Sequence, residues 1–123
     1  KRKQFIKGME QIAQEGAIQI FRPLGGGIEE VIVGVVGTLQ FDVLVYRLKN
    51  EYGVDLRMQG LPYSHIRWIA DDDLDPKTLQ LSSDTKRIED LKGHHLLLFT
   101  SPWNIDWALD HNKGLELVEF SRN

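Results

Sequence analysis

The sequence predicts an α+β domain of two layers, a mostly antiparallel sheet with helices packed on one side of it. Three observations predict it. Three segments repeat apolar residues at helical spacing, seven short stretches carry apolar residues at strand spacing, and glycine-bearing loops join several of those stretches closely enough for antiparallel pairing. The chain has 123 residues, 41% hydrophobic and 27% charged. That is one domain's worth, and a chain of this size buries about two-thirds of its unfolded surface.

The first helix is set by Phe5, Met9, Ile12 and Ala13, and it ends near Glu15 because Gly16 supplies a left-handed stop. Ala17 to Arg22 reads as a strand closed by Pro23, and Gly25, Gly26 and Gly27 form a loop leading to a second strand through Val31, Ile32 and Val33. Gly34 and Gly37 bracket Val35 and Val36 and mark a bend or a close approach of backbones. The strongest helix runs from Thr38, its expected N-cap, to Tyr52, with Phe41, Leu44, Val45, Leu48 and Tyr52 as its apolar stripe and Gly53 as its stop. Val54 to Met58 alternates as a strand, and His65 to Ile69 is another.

An acidic loop, Asp71 to Pro76, divides this half from the rest, and Lys77 to Leu81 is expected to form one helical turn. Thr85 to Asp90 and His95 to Phe99 read as a hairpin around Lys92 and Gly93. Ser101 and Pro102 form a cap and first turn for a helix carrying Trp103 and Trp107, which stops at Lys113 and Gly114. Leu115 to Phe120 is expected to close the sheet. The order gives a ferredoxin-like first half.

Composition excludes several classes. The absence of cysteine removes disulfide scaffolds, thiolate metal sites and thiol nucleophiles, and together with the balanced charge it reads as a cytosolic domain. No run of 18 apolar residues is present, so no transmembrane helix is expected. The net charge of −3 does not suggest a free-standing nucleic-acid clamp. Charge is lopsided, however. Residues 1–67 hold nine basic and seven acidic side chains, and residues 68–123 hold six and eleven. A polyanion would therefore meet the first half. The chain also opens inside a helix with no initiator methionine and no cap, which reads as a domain cut from a longer protein.

Catalytic and metal signals are weak. Asp71, Asp73 and Asp75 alternate like the start of a calcium loop, but Pro76 and Ser82 stand where that loop needs glycine and glutamate. His94 and His95 are adjacent on a strand and point to opposite faces, so they cannot chelate one ion. The three glycines lead to a strand rather than a helix, and no GxxxxGK[ST] loop exists to hold a phosphate. No GxSxG elbow is present. No catalytic, cofactor-binding or metal-ligating residue is assigned. Trp68, Trp103 and Trp107 could serve an interface, but core packing is expected for at least two of them.

Two stretches are distinctive: Glu15 to Pro23, reading EGAIQIFRP, and Val33 to Val43, reading VGVVGTLQFDV and running on to Arg47-Leu48-Lys49-Asn50-Glu51-Tyr52. With the pair Arg67-Trp68, they resemble the C-terminal region of the class II bacterial peptide chain release factors, the release factor 3 family. The same helix is more loosely similar to domain III of elongation factor G, in the same translational GTPase superfamily. The likeness is close over about residues 4–69; beyond Ala70 it lies in element order, and it does not extend to the acidic loop or the Trp103 helix.

The resemblance implies a single C-terminal domain of a longer GTPase, with residues 1–69 like elongation factor G domain III and residues 70–123 an extension. It implies no enzyme activity in this chain and no cofactor, because GTP or GDP and magnesium belong to a GTPase domain outside it. The implied role is ribosome docking in translation termination, in the cytoplasm, where the parent drives class I release factors off the ribosome after peptide release. Implied partners are small-subunit rRNA and protein, the class I factor, and the GTPase and β-barrel domains of the parent, with no membrane. Contact with RNA phosphates needs basic side chains, and Arg22, Arg47, Lys49 and Arg57 are the candidates. The alternatives are the corresponding domain of an elongation or ribosome-protection factor, and a stand-alone small binding domain or enzyme.

Overall fold

A computed structural model describes residues 2–16, 18–25, 31–35 and 37–119. The chain divides into two compact units, Lys1–Phe21 with Val31–Gly60, and Arg22–Glu30 with Leu61–Asn123. The chain therefore passes between the units three times, after Phe21, after Glu30 and after Gly60. All strand pairings described below are antiparallel, and the fold class is α+β.

The first unit contains helix α1 (Arg2–Gln14), strand β1 (Ile18–Pro23, its last two residues belonging to the second unit), strand β2 (Ile32–Val35) and helix α2 (Leu39–Tyr52). β1 and β2 pair with Ile18 opposite Val35 and Phe21 opposite Ile32. Met9 and Ile12 of α1 meet Leu44 and Leu48 of α2 over Ile18 and Ile20, with Phe5, Val33 and Tyr52 at the margin. This core is what the apolar periodicity of both helices demanded. The helices approach closely at Gly8, where an added Cβ would lie 2.7 Å from Leu48 Cδ2 and 2.9 Å from Tyr52 Cδ2. Gly53 ends α2 at φ 68°, in the left-handed region, and its amide donates to the Leu48 carbonyl.

Two expectations are not fully met in this unit. Thr38 stands at the N-cap position of α2 as expected, but its backbone is helical (φ −61°, ψ −26°) and its side chain makes no capping hydrogen bond. Val54 to Met58 forms no strand. Val54 is buried and Leu56 packs against the same cluster, so the alternation reflects packing of an extended segment without a ladder partner. Val36, Gly26 and Gly27 lie outside the described residues.

The second unit contains β3 (His65–Ile69), a 3₁₀ turn at Pro76–Thr78, β4 (Lys86–Asp90), β5 (His95–Phe99), α3 (Pro102–His111) and β6 (Leu117–Val118). Its strands run in the order β4, β5, β3, β6. β5 is central, with Leu97 opposite both Arg87 and Arg67. On one face Leu97 and Phe99 join Ile69, Leu79, Ala108 and Leu115 in a second core, while Leu96, Ile88 and Trp68 are also buried. The hairpin expected around Lys92 and Gly93 is present. The closing strand is shorter than expected, pairing only through Val118 with Trp68 and Leu117 with Ile69; Phe120 lies outside the described residues.

Side chains rather than ladders hold the long connections of this unit. Asp71 Oδ1 accepts from the Asp73 amide and Asp75 Oδ1 from the Lys77 amide, so the acidic residues close turns. Arg87 donates to the carbonyls of Pro76 (2.7 Å) and Leu79 (2.8 Å). Asn112 binds the amide and carbonyl of Gln80 and the Ala108 carbonyl, tying the end of α3 to that loop.

Candidate functional site

The four basic candidates have different surroundings. Arg47, on α2, lies between two carboxylates of its own unit. It donates to Glu15 at 2.6 and 3.1 Å, and to Glu51 one helical turn on at 2.8 and 3.0 Å. The hydrogen bonds from Arg47 hold Glu15 and Glu51 below the ordinary glutamate range, and donating to Glu51 and then to Glu15 raises the guanidinium further. Its charge is thereby balanced within the fold. The Arg47–Glu51 spacing was legible in the sequence, whereas Glu15, 32 residues away, is brought in only by the packing of the first unit.

Lys49 leaves its side chain 68% exposed, with Nζ 4.0 Å from Asp55. Arg57 is exposed on the extended segment after α2. These two present cationic heads to water on one unit. Arg22, at the end of β1, belongs to the second unit; it is half-buried and its Nε is buried without a hydrogen-bond partner.

Other polar clusters are structural in geometry. Asp90, at the end of β4, accepts from the amides of Lys92 and His94 (2.9 Å each), from His94 Nδ1 (3.1 Å) and from the Trp68 indole (3.3 Å). His94 is therefore a turn-locking donor immediately before β5, and His95 beside it sits opposite Glu89. Asp84 accepts from Ser82, Thr100 and Asn104, and the first two hold its carboxyl below the usual aspartate range. Among the described residues no group of three or more His, Asp or Glu could hold a metal ion, and no helix is long and apolar enough to cross a membrane. Of the tryptophans, only Trp68 is fully buried; Trp107 is half-buried and Trp103 is 65% exposed, so the expectation of two core tryptophans is met by one.

The fold is α+β, with exposed cations on the first unit and carboxylates that close turns in the second. A family profile described as the C-terminal domain of the class II release factor RF3 matches residues 1–109, and the chain belongs to that family. Relatives named peptide chain release factor 3 are 36% identical over 115 residues in Symbiobacterium thermophilum, 40% over 119 in Lactobacillus delbrueckii subsp. bulgaricus and 38% over 118 in Listeria monocytogenes serotype 4b. These alignments cover 94%, 97% and 96% of this chain and 22% of each relative. The chain thus spans about a fifth of the length of the curated relatives it matches.

Proposed function

We propose that this chain is the ribosome-docking domain of a translation-termination GTPase, itself non-catalytic, whose parent promotes departure of class I release factors after peptide release. The observation that carries the reading is the family match across residues 1–109, extending past the stretches whose residues first suggested it. GTP and magnesium bind in a separate domain of the parent in this reading. The role of residues 1–123 is mechanical and electrostatic: the close-packed core of each unit resists deformation under load, and basic side chains meet rRNA phosphates.

Within that proposal Lys49 and Arg57 are the phosphate contacts, because their charges are open to water. Arg47 positions α2 by binding Glu15 and Glu51. Arg22, half-buried and with its Nε enclosed in the second unit, is the weakest of the four candidates.

The test is a release assay with the full-length parent on ribosomes carrying a bound class I factor. Lys49→Glu with Arg57→Glu is expected to weaken ribosome binding by about tenfold or more, flatten its salt dependence and slow class I departure. Far-UV circular dichroism checks that the fold is kept. Unchanged binding and departure in that variant would remove the assignment of these residues. A parent that neither binds GTP nor accelerates departure would overturn the whole reading.

A further inference from the structure

The second unit carries a surface that the docking proposal does not use. Trp103, Asp106, Trp107, Asp110 and His111 recur at three- and four-residue spacing along α3 and so share one side of the helix. The other side enters the core, where Asn104 and Ala108 are buried and Ile105 packs against the cluster of Leu97 and Phe99. Trp103 is 65% exposed. Asp106, Asp110 and His111 are exposed beside it. Trp107 stacks on the His111 imidazole with ring centroids 3.7 Å apart and planes 15° from parallel. That imidazole is held in turn, because its Nδ1–H donates to the Trp107 carbonyl at 2.8 Å. The aromatic surface is therefore preorganised, which lowers the ordering cost of binding.

Exposed tryptophan is enriched where partners dock, and charge decides which partner fits here. Between Thr100 and Asn112 there is no lysine or arginine, and both aspartates lie on the aromatic side. Lys113 follows beyond the end of the helix, but residues 68–123 as a whole are acidic. Such a surface repels nucleic-acid phosphates. It attracts an arginine twice, since a planar guanidinium lies flat on an indole while its N–H groups reach a carboxylate.

We propose that the Trp103, Asp106, Trp107 and Asp110 face of α3 docks a cationic protein segment that presents arginine. The inference stands apart from the ribosome reading, because it concerns the chemistry of the ligand and not the assembly that carries it.

The intact 123-residue chain is titrated calorimetrically with hexa-arginine, hexalysine and an RNA hairpin, and its self-association is followed by sedimentation. Hexa-arginine is expected to bind about threefold or more tighter than hexalysine, and Trp103→Ala to weaken it by roughly three- to tenfold. Asp106→Asn with Asp110→Asn should weaken it similarly, while Asp73→Asn with Glu116→Gln, which removes the same charge elsewhere on the unit, should leave affinity within about twofold. Trp103 is exposed, so its loss should leave the circular dichroism spectrum unchanged, and Trp103→Phe should restore part of the affinity. Equal affinity for the two peptides, no effect of Trp103→Ala, or equal weakening by both charge-removing pairs would reduce the effect to net charge and overturn the proposal. Tighter binding of the RNA, or a dimer that Trp103→Ala dissolves, would assign the face to another occupant and overturn it equally.

Discussion

Arg47 shows how one side chain decides the use of a surface. On sequence grounds it was one cation among several, yet it donates to both Glu15 and Glu51. Both glutamates titrate below their ordinary value of 4.5 in the folded chain. The unfolded chain therefore takes up those protons first as pH falls, so the stabilisation is complete above about pH 4.5 and is lost as pH falls through the lowered folded values. Arg47→Gln is expected to lower Tm by roughly 1–3 °C at pH 7, with the gap in thermal circular dichroism narrowing as pH falls below the ordinary glutamate range; a gap that persists once both glutamates are protonated would mean that packing, not charge, is lost. Asp90 is a second case. Its Oδ1 accepts from two turn amides while Oδ2 takes the Trp68 indole. Asp90→Ala should cost about 2 kcal/mol in urea unfolding, and Asp90→Asn clearly less because it keeps an acceptor for the amides. If the two variants were equally unstable, the turn amides would not be what the carboxylate serves.

The helices were legible because 3.6-residue periodicity survives in any context that buries one side. What periodicity could not show is how closely two helices approach. α1 and α2 cross at Gly8, with Leu48 completely buried against it. Alanine has the higher helix propensity by about 1 kcal/mol, but its methyl would force Leu48 and the Tyr52 ring to move, at a cost of about 1–3 kcal/mol. Gly8→Ala is therefore expected to destabilise by about 1 kcal/mol net in chemical denaturation, and a stabilised variant would show that the crossing has slack. Val54 to Met58 is the opposite case, a segment with strand-like alternation and no strand. Alternation reports which side chains are buried, while a strand also needs a neighbour for its amides. The turn after Gly53 leaves the Val54 amide on the Leu48 carbonyl at 2.9 Å instead.

At the scale of the molecule, each unit has a core of its own. The first gathers Met9, Ile12, Leu44 and Leu48, and the second Ile69, Leu97, Phe99 and Ala108. Ile12→Val and Ile69→Val, each deleting one buried methylene, should cost about 1 kcal/mol apiece. Their effects should add within about 0.5 kcal/mol in the double variant, measured by urea unfolding. A larger deviation would mean that the two cores are energetically coupled. All three tryptophans lie in the second unit, so fluorescence follows that unit, whereas far-UV circular dichroism is weighted toward α1 and α2.

The sequence by itself determined the α+β class, all three helices, the hairpin at Lys92 and Gly93 and, through EGAIQIFRP and the Thr38 to Tyr52 helix, membership in the release factor family. These depend on local periodicity, on turn residues and on contiguous motifs, all of which a linear string records. Tertiary structure decided that Arg47 is committed to Glu15 and Glu51 while Lys49 and Arg57 remain open, and that Trp68 is buried while Trp103 faces water. Those outcomes depend on which residues distant in the chain become neighbours, and a side chain's exposure and charge balance are properties of that neighbourhood rather than of its type.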